Sequence, residues 1–351
     1  MSYIKKPLII NAKTNRNELG LTARDYEGVV STLCAGCGHD SITGAIVRAV
    51  FELNIEPHRL GKMSGIGCSS KTPAYFVSGS HGFNSVHGRM PSVTTGANAA
   101  NRDLMYIGVS GDGDSLSIGM GQFAHAIRRN VNMCYIIENN GVYGLTKGQF
   151  SASADKGSRA KRGEENMQPP IDPVTTAIAI GATFVARSFS GDKEQLVPLI
   201  KAAMNHDGFA LLDVISPCVT FNDHQGSTKS YAHTREFFNQ VVQADYIAPR
   251  DEIKTEYEEG KSSQVKLHDG SQVVLRKVDN AYDPTDQAAA FTYLSDHAAK
   301  GEVVTGLLYI NQEKGDMHAV SGTCRQPLNE LQYSKLNPGA DVLTKIMSTY
   351  R

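Results

Sequence analysis

No charge of either sign dominates this chain: 35 lysines and arginines stand against 36 aspartates and glutamates, for a formal net charge of -1 at pH 7. The two signs are interspersed rather than gathered into blocks, so there is no basic field to attract nucleic acid or an acidic membrane surface. No apolar run approaches the length of a membrane span. The opening Met1-Ser-Tyr-Ile-Lys-Lys-Pro7 has none of the apolar core of a secretory leader. The expectation is a cytoplasmic protein with neither a membrane nor a nucleic-acid partner. Cysteine is scarce, 6 in 351 residues, too few for a disulfide scaffold and available for metal in a reducing compartment. Internal repeats and low-complexity tracts are absent. With 40% hydrophobic residues, the chain is long enough to bury a substantial α/β core and to carry an appendage.

The few cysteines are unevenly placed. Cys34-Ala-Gly-Cys37-Gly-His39 presents two thiols from one tight loop, Gly65-Ile-Gly-Cys68-Ser-Ser70 a third, and Ser216-Pro-Cys218 a fourth. One CxxC pair plus two isolated loop cysteines makes a four-thiolate set. It suits a [4Fe–4S] cluster, whose irons take four soft sulfur ligands, better than structural zinc, which usually uses two local pairs. Zinc, and loop or core cysteines with no metal, are the other two readings. Cys134 reads as a core thiol within a strand, and Cys324 is ambiguous.

A second motif runs from Gly111-Asp112-Gly113 to Asn139-Asn140. The apolar run from Leu104 to Ser110 predicts a buried parallel strand, Leu116, Met120, Phe123, Ala124 and Ile127 recur at helical spacing, and Met133 to Ile137 predicts the next strand. Asp112 and Asn140 then sit at the carboxyl ends of two strands of a βαβ unit, where such sheets bind ligands. A carboxylate, an amide oxygen and loop carbonyls are hard donors suited to Mg²⁺, and a helix N-terminus beside them favours phosphate. The pattern therefore suits a Mg²⁺-diphosphate. Either fragment alone reads as an ordinary Gly-Asp-Gly or Asn-Asn-Gly turn.

Around these motifs, Ile42 to Leu53 predicts a helix directly behind the CxxC loop, and residues 60–100, rich in glycine, serine and threonine, read as loops that approach a ligand. Further predictions are helices over Pro173–Ile180 and Asp192–Met204 and strands over Ala182–Ala186 and Ala210–Ile215. The alternation predicts an α/β fold with a doubly wound, mostly parallel sheet. Residues 1–240 read as the cofactor-binding domain. Residues 241–351 read as a C-terminal extension packing on it or on a partner, with a charged loop or solvated helix over Arg250–Lys261 and a hairpin over Val265–Leu275.

At this point a family resemblance is visible. Gly111-Asp-Gly through Asn139-Asn140 resembles the thiamine diphosphate signature. Cys34-Ala-Gly-Cys-Gly-His39, Ile66-Gly-Cys-Ser-Ser-Lys71, His87-Gly-Arg89 and Tyr143-Gly-Leu-Thr-Lys-Gly-Gln149 resemble the β subunit of 2-oxoacid:ferredoxin oxidoreductases, most closely those acting on 2-oxoglutarate. The resemblance covers about residues 25–235 in order. It departs after Gln149, where Phe-Ser-Ala-Ser-Ala-Asp-Lys-Gly-Ser158 stands in place of the usual Ser-Pro-Thr, and in a longer tail beyond residue 240.

The resemblance implies a diphosphate-binding domain of the thiamine type and CoA-dependent oxidative decarboxylation of 2-oxoglutarate to succinyl-CoA, reversible in principle. One-electron transfers would run through a [4Fe–4S] cluster to ferredoxin. It implies that Cys34, Cys37, Cys68 and Cys218 hold the cluster, that Asp112, Asn140 and the Val142 carbonyl hold Mg²⁺, and that CoA is a co-substrate. Gly67, Ser69, Ser70, His87, Gly111, Gly113, Asp114, Tyr143, Gly144 and Leu145 would line the thiamine diphosphate site. His39, Lys71, Arg89 and Lys147 are the candidate catalytic or substrate residues: Arg89 as a bidentate anion clamp, Lys71 near the substrate carboxylate, Lys147 at the distal carboxylate that separates 2-oxoglutarate from pyruvate. A loop histidine bonded to backbone, a structural ion pair and solvated lysines are the plainer readings of the four. The glutamate that activates the aminopyrimidine ring belongs to a second domain not found in this sequence. An α subunit is therefore expected to supply it, in a heterodimer or a dimer of heterodimers. The competing readings are a pyruvate or broad 2-oxoacid enzyme, a thiamine decarboxylase or synthase subunit without a cluster, and a zinc-stapled α/β interaction module.

Overall fold

The computed structural model describes residues 15–158, 164–219, 255, 257–266, 272–278 and 282–350. Its centre is a nine-stranded sheet. In chain order the strands are β1 (Leu60–Ser64), β2 (His81–Asn84), β3 (Met105–Gly111), β4 (Met133–Asn139), β7 (Phe184–Phe189), β8 (Phe209–Ile215), β9 (Ser262–Lys266), β10 (Gln272–Lys277) and β11 (Glu302–Ile310), while β5 (Val142–Tyr143) and β6 (Gln149–Phe150) form a separate two-stranded pair. The order across the large sheet is β2-β1-β3-β4-β8-β7-β11-β10-β9. From β2 to β7 every pairing is parallel; β11 then pairs antiparallel with β7.

Two-residue periodicity sends alternate strand residues into two cores. Ile107, Val109, Cys134, Ile136, Ala210 and Leu212 face one layer, which holds α1 (Gly38–Glu52) and α5 (Lys193–Met204). Tyr106, Met133, Tyr135, Phe209 and Leu211 face the other, with α3 (Met120–Arg129), α4 (Pro173–Ala179) and α6 (Gln287–Ala298). Helices on both faces explain why the central strands are buried throughout, as parallel strands between helix layers must be. This is the doubly wound, mostly parallel α/β sheet that the alternation of strand and helix predicts. Cys134 lies within it as a core thiol, pushed up to about 12 by burial.

Two readings need correction. Residues 60–100 are more than ligand loops: they contain β1, β2 and the helix α2 (Met90–Ala100). Gly61, Lys62 and Ser64 disguise β1, yet the whole strand is buried. Lys62 is tolerated there because its Nζ donates to the carbonyls of Phe76 and Val77 at 2.7 and 3.0 Å. The helix after Asp112 likewise opens with a π-type turn over Gly113–Ile118 before α3 begins. In the C-terminal segment, β9 and β10 pair antiparallel as the predicted hairpin, and β10 and β11 carry it onto the edge of the main sheet. Residues 267–271, half of 250–261 and the division at residue 240 lie outside the described residues.

One buried ion pair joins neighbouring strands. Arg187 on β7 donates from Nε to Asp213 on β8 at 2.7 Å and also contacts Asp172, the N-cap of α4. Removing one partner of a buried pair leaves an uncompensated charge. Arg187→Ala is therefore expected to cost about 3–5 kcal/mol of stability, read as a lowered urea midpoint.

Candidate functional site

The strand order places four loops side by side. β1, β3, β4 and β8 are neighbours, and the loops at their carboxyl ends are Gly65–Ser69, Asp112–Asp114, Asn140–Leu145 and Ser216–Cys218. The chain leaves β1 toward β2 on one side and reaches β3 on the other, so this is also the topological switch point where open α/β sheets bind ligands. A cleft with a cavity volume of about 90 Å³ opens there. Its walls include Gly67, Ser69, His87, Gly111, Asp112, Gly113, Asp114, Asn140, Val142, Tyr143, Gly144 and Leu145, together with His39 and Cys68. Ile66 and Thr146, which sequence reasoning did not single out, line it too.

Asp112 is 1% exposed, and its carboxylate is held entirely by neutral donors. Oδ2 accepts from the Gly141 N–H at 3.0 Å, from Ser153 Oγ at 2.6 Å and from Ser151 Oγ, while Oδ1 faces the Asn140 N–H at 3.4 Å. Asn140 Oδ1 accepts from the Val142 N–H at 3.0 Å, closing the turn after β4. Among the described residues no cationic side chain pairs with Asp112. A buried carboxylate with neutral donors on one side fits a hard cation on the other. Asp114, by contrast, ties loops together: it accepts from the Gly88 N–H at 2.7 Å and from Ser110 Oγ at 2.6 Å, and His87 Nδ1 lies against it. The His87 ring meets Tyr143 edge-on at 6.0 Å, and the Tyr143 hydroxyl donates to the Gly113 carbonyl at 2.9 Å.

His39 lies beneath the cleft, 1% exposed. Burial lowers its pKa to about 4, so the imidazole is neutral at pH 7. Nδ1 is 2.6 Å from Ser216 Oγ and 3.5 Å from Glu138 Oε2, and Nε2 is 3.5 Å from the Asn140 amide nitrogen. Oxygens around Nδ1 and an N–H group at Nε2 select the tautomer with the proton on Nδ1. Glu138 is fully buried, which pushes its carboxyl well above the usual range, and Thr72 donates to it at 3.0 Å. Glu138, Thr72 and Ser216 are invisible to motif reasoning because each sits in an ordinary strand or loop context and meets His39 only through the fold.

None of the four motif cysteines is engaged in a disulfide. Their loops converge: the Cys37 N–H donates to the Cys34 carbonyl at 3.0 Å and the Gly38 N–H to the Pro217 carbonyl at 3.5 Å, and a Cβ built on Gly144 would lie 3.4 Å from Cys68 Sγ and 3.8 Å from Cys218 Sγ. Burial raises the Cys68 thiol to about 11, with Cys218 adding to the rise and Lys71 opposing it. Burial also raises Cys37, which caps the N-terminus of α1, where a helix dipole favours negative sulfur. Among the described residues no group of three His, Cys, Asp or Glu side chains is close enough to hold a metal ion. The chemistry of the donor set, four soft thiols on converging loops, is what fits a cluster.

The remaining candidates lie outside the cleft walls. Ser70 Oγ is buried without a hydrogen-bond partner among the described residues, and Lys71 stands beside Cys68. Arg89 is exposed at the N-cap of α2. Lys147 is exposed on the loop after Leu145 and Thr146, with its backbone in the left-handed region at φ 81°.

Comparison with known proteins agrees with this geometry. Residues 65–214 match the thiamine pyrophosphate enzyme C-terminal TPP-binding domain, so the fold and cleft define a thiamine pyrophosphate-binding domain. A 2-oxoacid:ferredoxin oxidoreductase subunit beta from Sulfolobus sp is 41% identical over 210 residues, 60% of this chain and 66% of that protein. The 2-oxoglutarate synthase subunit KorB of Methanocaldococcus jannaschii is 38% identical over 189 residues, 54% of this chain and 69% of that one. A solved 2-oxoglutarate:ferredoxin oxidoreductase from Magnetococcus marinus, with 2-oxoglutarate, coenzyme A and succinyl-CoA bound, superposes with a TM-score of 0.69 at 30% identity, covering 88% of this chain and 91% of that one. The chain belongs to the β-subunit family of the 2-oxoacid:ferredoxin oxidoreductases. The matched segment spans 66% of the Sulfolobus relative and 51% of the Mycobacterium tuberculosis 2-oxoglutarate oxidoreductase subunit KorB.

The packing of the cleft floor is testable through its glycines. A Cβ on Gly65 would stand 1.8 Å from Asp114 Oδ2, which its hydrogen bonds pin in place, whereas one on Gly44 within α1 would meet nothing within 4 Å. Gly65→Ala is expected to destabilise the protein by about 1–3 kcal/mol. Gly44→Ala is expected to stabilise it by about 0.5–1 kcal/mol. Urea denaturation of both variants checks the pair.

Proposed function

We propose that this chain is the β subunit of a 2-oxoglutarate:ferredoxin oxidoreductase, active with an α subunit in the cytoplasm and converting 2-oxoglutarate and coenzyme A to succinyl-CoA and CO₂ while reducing ferredoxin. The observation that carries the reading is the juxtaposition, at the carboxyl ends of β1, β3, β4 and β8, of a Mg²⁺-type oxygen site with three of the cysteine-bearing segments. Thiamine diphosphate, when bound, supplies the carbanion chemistry that 2-oxoacid decarboxylation requires.

The chain's own contribution is binding and orientation. Asp112, the Asn140 amide oxygen and the Val142 carbonyl are the donors for Mg²⁺, and the glycine-lined loops around Gly67 and Gly113 let backbone approach a diphosphate closely. Neutral His39, with its proton on Nδ1, offers an Nε2 lone pair toward Asn140 and the cleft. The four thiols supply a cluster's soft ligands next to the same cleft. The only carboxylates lining the cleft among the described residues are Asp112 and Asp114, both already engaged. This supports an α subunit as the source of the glutamate that thiamine activation needs. Among the described residues no helix is long and apolar enough to cross a membrane.

Oxygen and sulfur donors at separate atoms predict separable losses. In the anaerobically purified complex, Asp112→Ala should abolish Mg²⁺-dependent thiamine diphosphate binding and leave iron content intact, and Cys68→Ser should keep thiamine and lose the brown cluster absorbance. Iron and thiamine assays on the two variants check this. Zinc in place of iron would point to the stapled module, and thiamine without iron to a cluster-free decarboxylase.

Substrate choice is carried by Lys147, exposed beside the cleft-lining Thr146. If it meets the distal carboxylate, Lys147→Ala lowers kcat/KM for 2-oxoglutarate by about tenfold or more, since a charge-assisted hydrogen bond is worth roughly 1.5–3 kcal/mol. Pyruvate turnover should fall much less. Equal losses would assign Lys147 to loop structure and favour a pyruvate or broad 2-oxoacid enzyme.

A further inference from the structure

Resting on the reading of Asp112 as a Mg²⁺ ligand, we propose that Ser151 and Ser153 are positioning residues that occupy Asp112 Oδ2, so that Asp112 binds the cation through Oδ1 alone. Oδ2 receives three donors, the Gly141 N–H at 3.0 Å, Ser153 Oγ at 2.6 Å and Ser151 Oγ. A carboxylate oxygen has about two lone-pair sites, so Oδ2 has no capacity left for a metal. Oδ1 has only the longer Asn140 N–H contact at 3.4 Å among the described residues.

The loop that brings the serines there is itself pinned. The Ser151 N–H donates to the Gly141 carbonyl at 3.2 Å and the Ala152 N–H to Ser117 Oγ at 3.0 Å, which puts the hydroxyls of residues 151 and 153 on the same carboxylate. Behind Ser153, whose single hydroxyl proton goes to Asp112, Asn139 Nδ2 donates to Asp213 Oδ1 at 3.0 Å, and Asp213 is held by Arg187. Asn139, Asp213 and Arg187 stand on the adjacent strands β4, β8 and β7. The serine loop therefore lies against three strands that are bonded to one another. All members of this chain of contacts are buried, with Ser153 at 4% and Asp213 at 0% exposure, so water does not substitute readily for a lost hydroxyl.

The test measures thiamine diphosphate binding to the purified complex by calorimetry as Mg²⁺ or Ca²⁺ is titrated, a readout independent of turnover. Ser153→Ala should raise the Mg²⁺ concentration for half-maximal binding by about tenfold or more, as loss of a partner of a metal ligand does. It should also shift preference toward Ca²⁺, because the released Oδ2 permits bidentate binding, which Ca²⁺ tolerates and Mg²⁺ does not. Ser153→Thr, which keeps the hydroxyl, should restore both values. Ser151→Ala carries the same prediction and serves if Ser153→Ala does not fold. An unchanged Mg²⁺ requirement in the alanine variants, or a loss with no change in cation preference, overturns the positioning role while leaving the assignment of Asp112 standing. Wild-type binding that needs no divalent cation overturns that assignment, and the inference with it.

Discussion

The site depends on one carboxylate, Asp112, set in the cleft wall and held by neutral donors alone. Asp112 sits at the carboxyl end of β3, 1% exposed, with backbone and hydroxyl donors around one oxygen and no cationic side chain among the described residues. Such a group is costly unless a cation joins it. Much of the surrounding architecture serves this arrangement: the turn after β4 supplies an N–H from Gly141, the loop after β6 supplies two serines, and the Arg187–Asp213 pair fixes the strands behind them. On the proposed reading, affinity for a divalent cation would be built from neutral donors that orient the carboxylate.

The second constraint is topological. Six parallel strands with a reversal of direction between β1 and β3 create one crevice, and every motif loop except the CxxC loop leaves from a strand end along it. The CxxC loop reaches the same place from the N-terminus of α1, tied to the loop after β8 through the Gly38 N–H and the Pro217 carbonyl. Oxygen donors and thiols are thus assembled by one property of the sheet. On the proposed function, their closeness would let two-electron bond cleavage be coupled to one-electron acceptors.

Much of this is legible in the sequence for identifiable reasons. The βαβ unit around Asp112 announces itself through uninterrupted apolar strands and a helical stripe, and the cysteines through their Gly- and Ser-rich loops. What stays hidden depends on contacts between residues distant along the chain. β1 is obscured by Lys62, whose ammonium is satisfied by carbonyls 14 and 15 residues away. Glu138 and Ser216 meet His39 only because β4 and β8 are neighbours. Ser151 and Ser153 carry no local signal of their role, because their hydroxyls reach Asp112 across 39 and 41 residues of chain. The C-terminal strands are recognisable as a hairpin but not as a continuation of the main sheet, because the pairing of β11 with β7 leaves no local pattern.

The most direct test of the central claim is acceptor reduction by the co-purified α and β chains under anaerobic conditions. With 2-oxoglutarate, coenzyme A, thiamine diphosphate and Mg²⁺ present, the account predicts CO₂ release matched by one-electron reduction of ferredoxin or a low-potential dye, lost when either chain or the iron is removed. Release of CO₂ by iron-free protein without reduction of the acceptor would contradict it.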